Sequence, residues 1–367
     1  MSDSLTPSMK KNKSFPGTIA IITSDPSIDM NNYSTAIRMA EKYGKEKVIH
    51  VTWPADFVAE KEKITKTLDP LTGDKEIKIL VVSQAINGSN AAVDRFKKLR
   101  DDVFIVYSTI MEPYAESALR ANLLIVLNHP EMASAMVKQA KKQGAKAFVH
   151  YSFPRHMNLP VLFTRRLLIK AACASEGILF VDAEVPDPRG EAGSQFASET
   201  IVASVHNYAA KYGENTAFFC TNCFLQAPLI KAIVENHAIY PQGCCPSPYR
   251  GFPEALGIET GKNLADLPRM IGEVSRIAAE KNMTDRLSSW PVSATRIATN
   301  AAVEYALKWV NKEISRDGIN DKVLEECIKH YVEEVVGEGV EVAMSSYSEN
   351  GVTYDNFKML LMSYLDF

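Results

Sequence analysis

Long apolar runs are missing from this chain of 367 residues. None reaches the roughly 18 residues that a membrane-spanning helix needs, so no span is expected. Positive charge is not in excess either: 41 Lys and Arg stand against 44 Asp and Glu, a formal net charge of -3. Nucleic-acid phosphates call for a clustered cationic surface, and direct nucleic-acid binding is therefore not expected. The densest basic cluster, Lys138, Lys141, Lys142 and Lys146, falls at the end of an expected helix, where cations offset the helix dipole. Glycine-rich phosphate loops are absent, since no strand-helix turn carries G-x-G-x-x-G or a P-loop, which removes support for a dinucleotide or NTP site. No G-x-S-x-G elbow suggests nucleophilic hydrolysis. Cysteine is sparse, with six in the chain. Cys173 and Cys327 sit in apolar helical patterns as core residues, which fits a reducing compartment.

Residues 1–17 read as a flexible tail of Ser, Lys and Pro, without the apolar stretch of a secretion signal and too short for a helix-turn-helix headpiece. A cytoplasmic location is the expectation, with export as the alternative if a leader precedes this sequence.

What the chain does have is 46% hydrophobic and 23% charged residues, the balance of a globular protein. Its length exceeds the usual single-core ceiling of about 250–300 residues, so two lobes are expected. Apolar strands at 18–23, 48–52, 79–83, 103–107 and 123–127 alternate with amphipathic helices, for example 34–43 and 56–67. The pattern restarts with strands at 147–151, 178–183 and 216–221. Continuous apolar strands between helices mark parallel sheets covered on both faces. The last third changes to helices at 264–281, 293–313 and 321–336, followed by strand-like patches at 340–345 and 358–363. The chain is organised around Phe148 to Met157, a buried strand that ends in polar, cationic and aromatic side chains where Pro154 stops it. Ligands of α/β proteins sit at such carboxyl ends.

The phrases His-Tyr-Ser-Phe-Pro-Arg-His-Met at 150–157, Phe-Phe-Cys-Thr-Asn-Cys at 218–223 and Cys-Cys-Pro-Ser-Pro-Tyr at 244–249 resemble an uncharacterised bacterial family, a domain of unknown function. Its fold is similar to type 1 periplasmic binding proteins and to the effector-binding core of lactose-repressor-type regulators. The likeness runs from Thr18 onward. It implies two hinged Rossmann-like lobes with parallel sheets, one made of 18–129 plus 291–336 and the other of 130–290 plus 337–367. The chain would cross between them near His129, near 289–292 and near 336–340. Exported members of that wider group hand solutes to transporters or chemoreceptors, and cytoplasmic members control transcription. A small polar ligand is thus the expected partner, with a transporter or regulatory protein behind it.

Residues at the carboxyl ends of the strands form the candidate ligand site: Ser24, Asp25, Trp53, Gln84, Tyr107 and Asn128 from the first set, and His150, Ser152, Arg155, His156, Asp187, Thr221, Asn222 and Gln226 from the second, with Trp290 near a crossing. They offer an aromatic face, planar donors and a guanidinium able to grip a carboxylate or phosphate. Ser24, Asn128 and Ser152 have an equally good use as helix caps or turn residues. Arg155 is the strongest candidate, since a cation just past a strand and beside two aromatics has little structural reason to be there. His150, on a face with Phe148 and Ser152, reads as a hydrogen-bonded, partly buried histidine rather than a metal ligand. Cys220-Thr221-Asn222-Cys223 is a C-x-x-C where a strand meets a helix, and such sites lower thiol pKa values. Cys244 and Cys245 could add thiolates, but their spacing from Cys223 matches no zinc knuckle or ribbon. No metal and no cofactor is therefore expected. The reading that results is non-catalytic binding of a small polar metabolite in an interlobe cleft, with hinge closure as the signal; the alternative is a cleft enzyme or thiol-dependent activity using Cys223 and His156.

Overall fold

The computed structural model describes residues 15–57, 59–261 and 264–367. In chain order the first elements are β1 (Thr18–Thr23), α1 (Met30–Tyr43), β2 (Val48–Thr52), α2 (Lys61–Lys66), β3 (Ile77–Val82), α3 (Ser89–Lys97), β4 (Phe104–Ser108), α4 (Tyr114–Ala118) and β5 (Leu123–Leu127). Next come α5 (His129–Lys142), β6 (Ala147–Ser152), α6 (Pro154–Met157), α7 (Pro160–Glu176), β7 (Leu179–Glu184), α8 (Gly193–Tyr212), β8 (Thr216–Cys220) and α9 (Gln226–Glu235). The chain ends with α10 (Phe252–Leu256), α11 (Leu267–Glu280), β9 (Ser288–Ser289), α12 (Ala294–Val310), α13 (Asp321–Val336), β10 (Val342–Glu349), β11 (Val352–Met362) and β12 (Leu365–Asp366). Its described residues divide into two compact units, those up to 126 with 295–331 and 346–359 against 127–294, 332–345 and 360–367.

The first unit is built on a seven-stranded sheet in the order β10-β11-β5-β4-β3-β1-β2. Strands β2, β1, β3, β4 and β5 are parallel, and β1, β3 and β4 are apolar at nearly every position because both of their faces are buried. The order reverses between β1 and β3, which makes their carboxyl ends the topological switch point of this sheet. Local signals fix the flanking helices. Asp29 caps α1 by accepting the Asn32 N–H at 3.1 Å, and Gly44, at φ 102°, ends it. The expected start of this helix at residue 34 misses its first turn.

Two further expectations change. Residues 15–17 are packed rather than part of a tail: Phe15 is buried edge-on against Tyr43 at 6.0 Å, under the Lys47 ammonium. Residues 1–14 of the expected tail lie outside the described residues. The C-terminal patches form a longer hairpin, β10 and β11, joined at Asn350 and Gly351 with φ of 51° and 79°. Positive φ at both turn residues is what a tight hairpin needs and what Asn-Gly supplies. Most of this hairpin extends the first sheet, although 337–367 as a whole was expected in the second lobe. Phe357 joins the apolar core, and the Asn356 amide donates to the Ala118 and Ala121 carbonyls at 2.9 Å each.

The second unit contains a parallel three-stranded sheet, β7-β6-β8. The chain at 238–240 continues it, with Ile239 bridged in parallel to Ala217 on β8 and Tyr240 bridged to Leu287. Order again reverses, here between β6 and β8. Asn128 caps α5 by accepting the Glu131 N–H at 3.1 Å, with Pro130 in the first turn, where its missing N–H costs nothing. The helices α5 and α7 meet over a core of Met136, Val137, Phe148, Ile169, Cys173 and Phe219.

Candidate ligand-binding site

At the end of β6 the chain passes through Phe153 into α6, a single turn opened by Pro154. This turn presents Arg155 and His156 next to the switch point. The Val185 N–H bonds the Ser152 carbonyl at 3.0 Å, prolonging the β6–β7 pairing into the loop that carries Asp187. Arg155 then grips Asp187 with both arms, Nε at 2.6 Å and Nη2 at 2.7 Å, and lies over the Phe153 ring at 5.2 Å. The Arg155 hydrogen bonds hold the Asp187 carboxyl below its ordinary range, while the Arg189 N–H fixes the same carboxylate at 3.0 Å. His156 stacks 4.1 Å from Phe153, and its Nδ1 meets the Thr221 hydroxyl at 3.0 Å. Burial, then the Arg155 charge, push the imidazole pKa down to about 4, so it is neutral near pH 7. His156 and Thr221 thus join the ends of β6 and β8, the two strands of the switch point.

Asn222 and Gln226 shape the turn after β8. The Asn222 side chain accepts the Phe224 N–H at 2.8 Å. Gln226 is fully buried: its amide donates to the Cys220 and Asn222 carbonyls at 3.1 and 2.7 Å and accepts the Tyr240 hydroxyl at 2.6 Å. It is a clamp between β8 and the neighbouring chain at 240, a structural use for a residue expected at a ligand.

In the first unit the switch point gathers a buried polar network. The Ser24 N–H donates to Asn32 Oδ1 at 2.8 Å, Asn32 Nδ2 to Ser83 Oγ at 2.9 Å, and Ser83 Oγ pairs with Thr299 Oγ1 at 3.1 Å. Ser24 Oγ donates to Gln84. Asp25 closes an Asx turn, accepting the Ser27 N–H at 2.9 Å and its hydroxyl at 2.6 Å. Ser24, Asp25 and Gln84 come together here. Trp53 and Tyr107 are in the apolar core instead: the Trp53 indole donates to the Gln84 carbonyl at 2.7 Å and the Tyr107 hydroxyl reaches the Ser89 carbonyl at 3.4 Å. Asn32, Ser83 and Thr299 were not foreseen, since a helix-borne Asn and a strand-end Ser carry no local signal.

Of the remaining expected residues, Asn128 serves as the helix cap, its amide donating to Ser345 at 3.2 Å. Trp290 is fully enclosed. His150 is wholly rather than partly buried, between Phe180 and Phe219, with Nδ1 3.4 Å from Asp182. The His150 and Arg166 hydrogen bonds hold Asp182 well below the usual carboxylate range.

The thiols depart most from the sequence reading. Cys220 is buried within β8, and the C-x-x-C does not close on itself. Cys223 turns toward the next loop, where its Sγ lies 3.0 Å from that of Cys244, and the three sulfurs of Cys223, Cys244 and Cys245 lie within 4.8 Å of one another. None of the six cysteines is in a disulfide. The thiol pKa of Cys223 is raised: hydrogen bonding from Cys244 pulls it down, but Cys245 and burial more than offset that. Contact with Cys223 and Cys245 holds Cys244 well above its ordinary range.

A family profile described as "Protein of unknown function (DUF3798)" matches residues 18–288. The chain belongs to this family. Within the curated proteins, this DUF3798 chain is 33% identical over 165 residues to an uncharacterized protein of Treponema pallidum (strain Nichols), covering 45% of this chain and 76% of that one. Among solved structures, a candidate transcriptional regulator from Clostridium difficile 630 superposes with a TM-score of 0.79 at 19% identity, covering 97% of this chain and all of the other. A substrate-binding protein of a sugar ABC transport system from Bordetella parapertussis 12822 gives 0.56 at 12% identity, with 96% and 89% covered. At these identities the likeness establishes the fold, a type 1 periplasmic-binding-protein-like α/β architecture shared by the DUF3798 chain. No helix among the described residues is long and apolar enough to cross a membrane.

Proposed function

We propose that this chain binds a small polar metabolite without transforming it, and that closure of its two units on the ligand is the signal passed to a transporter or regulatory partner. The observation that carries the reading is the pairing of Arg155 with Asp187 past the carboxyl ends of β6 and β7, on the loop that also sends His156 toward β8. Asp187 holds Nε and Nη2 of Arg155 in a fixed orientation, while the side chain as a whole is 48% exposed and accessible to a ligand. Bidentate pairing and stacking on Phe153 restrict its rotamers, which lowers the ordering cost of gripping an anionic or hydroxyl-rich group. Neutral His156 and Thr221 add hydrogen-bonding capacity alongside. The Bordetella protein's place as the substrate-binding protein of a sugar transport system supports this choice of ligand class.

An enzyme using Cys223 and His156 has weaker support. The Cys223 thiol is held protonated, and His156 Nδ1 is engaged with Thr221, so neither is set up as an activated nucleophile or its base. Closure would work by population shift, because a ligand that touches both units only when closed favours that state. Small-angle scattering with sugars, polyols, amino acids and nucleosides tests it. A decrease in radius of gyration with one class is expected, whereas unchanged scattering with a ligand shown by calorimetry to bind would refute closure as the signal.

A further inference from the structure

Parallel strands deliver their following loops to the same edge of a sheet, and the second unit uses this to bring three thiols together. Cys223 lies in the turn after β8, while Cys244 and Cys245 lie in the loop after residues 238–240, the parallel neighbour of β8. The two loops are tied by Gln226, which bonds the Cys220 and Asn222 carbonyls on one side and the Tyr240 hydroxyl on the other. Gly243 permits the approach, since a Cβ there would stand 2.7 Å from the Tyr240 hydroxyl and 3.1 Å from Gln226 Oε1. The cluster is therefore held by a buried, hydrogen-bonded frame.

We propose that Cys223, Cys244 and Cys245 form a three-thiolate site for a single thiophilic closed-shell ion, Zn2+ or Cu+, independently of any metabolite. Sulfurs bonded to zinc at about 2.3 Å in a tetrahedron stand about 3.8 Å apart. The observed span, from 3.0 Å up to no more than 4.8 Å, brackets that edge, so the three sulfurs stand near the spacing that one shared ion sets. Soft thiolates select such ions over Mg2+ or Ca2+. Binding is written without redox change: three thiols release three protons to solvent and give Zn(SR)3 with charge -1 or Cu(SR)3 with charge -2. The nearby Arg250 guanidinium, which favours the ionised form of Cys223, offsets part of that charge. Cys244 is buried, while Cys223 and Cys245 are partly exposed, which leaves a route for the ion and a fourth position for water or an exogenous ligand. Three sulfurs this close, with Cys220 outside the group, suit a mononuclear ion rather than a four-cysteine iron–sulfur cluster. A redox dithiol needs only two sulfurs, and this site brings three together.

The test uses the intact, reduced chain under anaerobic conditions, titrated with Zn2+ against a chromophoric chelator and with Cu+ against a Cu+-specific chelator. Co2+ serves as a spectroscopic substitute for Zn2+. One ion per chain, thiolate-to-cobalt charge-transfer bands and protection of Cys223 and Cys245 from alkylation, mapped by mass spectrometry on the unmutated protein, are expected. Cys223→Ser and Cys245→Ser, both at partly exposed positions, should each weaken binding at least tenfold. Tight binding of either ion supports the site and identifies its metal. No bound ion, an ion that leaves both alkylation sites unprotected, wild-type affinity in both variants, or recovery of a Cys223–Cys244 disulfide from protein kept with reductant and zinc would overturn the proposal.

Discussion

Replacing Gln226 with Met tests the frame on which the second unit's candidate sites are built. The side chain is fully buried, and Met fills a similar volume without donors or acceptors. Three hydrogen bonds to oxygen disappear, at 3.1, 2.7 and 2.6 Å, together with a weaker 3.9 Å contact from Nε2 to the Cys244 sulfur. The Tyr240 hydroxyl is left without its partner in a site only 1% exposed, which costs about 1–3 kcal/mol, and the two lost carbonyl bonds add about 0.5–1.5 kcal/mol each. Gln226→Met should therefore destabilise by about 2–6 kcal/mol. Tyr240→Phe alone leaves the Gln226 oxygen unpaired and should cost about 1–3 kcal/mol. In the double variant no hydroxyl remains to be orphaned, so its loss should be smaller than the sum of the two single losses by about 1–3 kcal/mol. Hydrogen-exchange protection of the β8 amides, residues 216–220, reads this locally and avoids assuming that the whole chain unfolds in one step. Additivity within about 0.5 kcal/mol would refute the clamp, because groups that share no interaction add to that precision.

Other expectations follow from single residues. Arg155→Ala should change stability by less than about 1 kcal/mol, since the Arg155–Asp187 pair is solvent-accessible; a larger drop in thermal unfolding would mean the pair is a structural staple. Gly251→Ala should lower the unfolding temperature by an amount equivalent to about 2–4 kcal/mol, because Gly251 has φ +81° and a new Cβ would fall 2.7 Å from Gln226 Cβ and 2.9 Å from its carbonyl carbon. Burial and the Arg155 charge place the His156 imidazole at about 4, below its ordinary 6.5. The unfolded chain therefore takes up the proton first, and the stability linked to His156 is full above about pH 6.5 and lost as pH falls toward 4. Its ring resonances in NMR should titrate near 4, and a midpoint of about 6 or above would contradict that burial.

The parallel sheets were legible because a strand buried on both faces must be apolar at nearly every position, as in β1, β3 and β4. That same feature hides orientation. With no polar alternation to mark a face, Trp53 and Tyr107 could point toward a ligand or into the core, and the structure places both in the core. The C-terminal hairpin was legible only in fragments, since β10 sets Val342, Ala343 and Met344 before a polar stretch of Ser345, Ser346, Ser348 and Glu349 interrupted by Tyr347 alone. The Asn350-Gly351 pair at its turn is a hairpin signal that went unread.

The three thiols could be named from the sequence, but their spacing argued against a shared site and their closeness was not legible. Cys223 and Cys244 are separated by a whole helix, α9, and they meet only because residues 238–240 run parallel beside β8, a pairing that no local periodicity reveals. Arg155 was legible as a functional candidate from its place past a strand, but its partner Asp187 lies on a different loop, and their pairing depends on the β6–β7 register.

Thermal-shift screening of the intact chain against sugars, polyols, amino acids and nucleosides tests the central claim most directly, because a ligand that binds only the folded state at a hundred times its dissociation constant adds about 2.7 kcal/mol to stability. The account predicts that one polar class raises the unfolding temperature and that Arg155→Ala removes most of that rise while leaving the ligand-free temperature nearly unchanged. No stabilisation by any class, or a rise fully retained in Arg155→Ala, would contradict it.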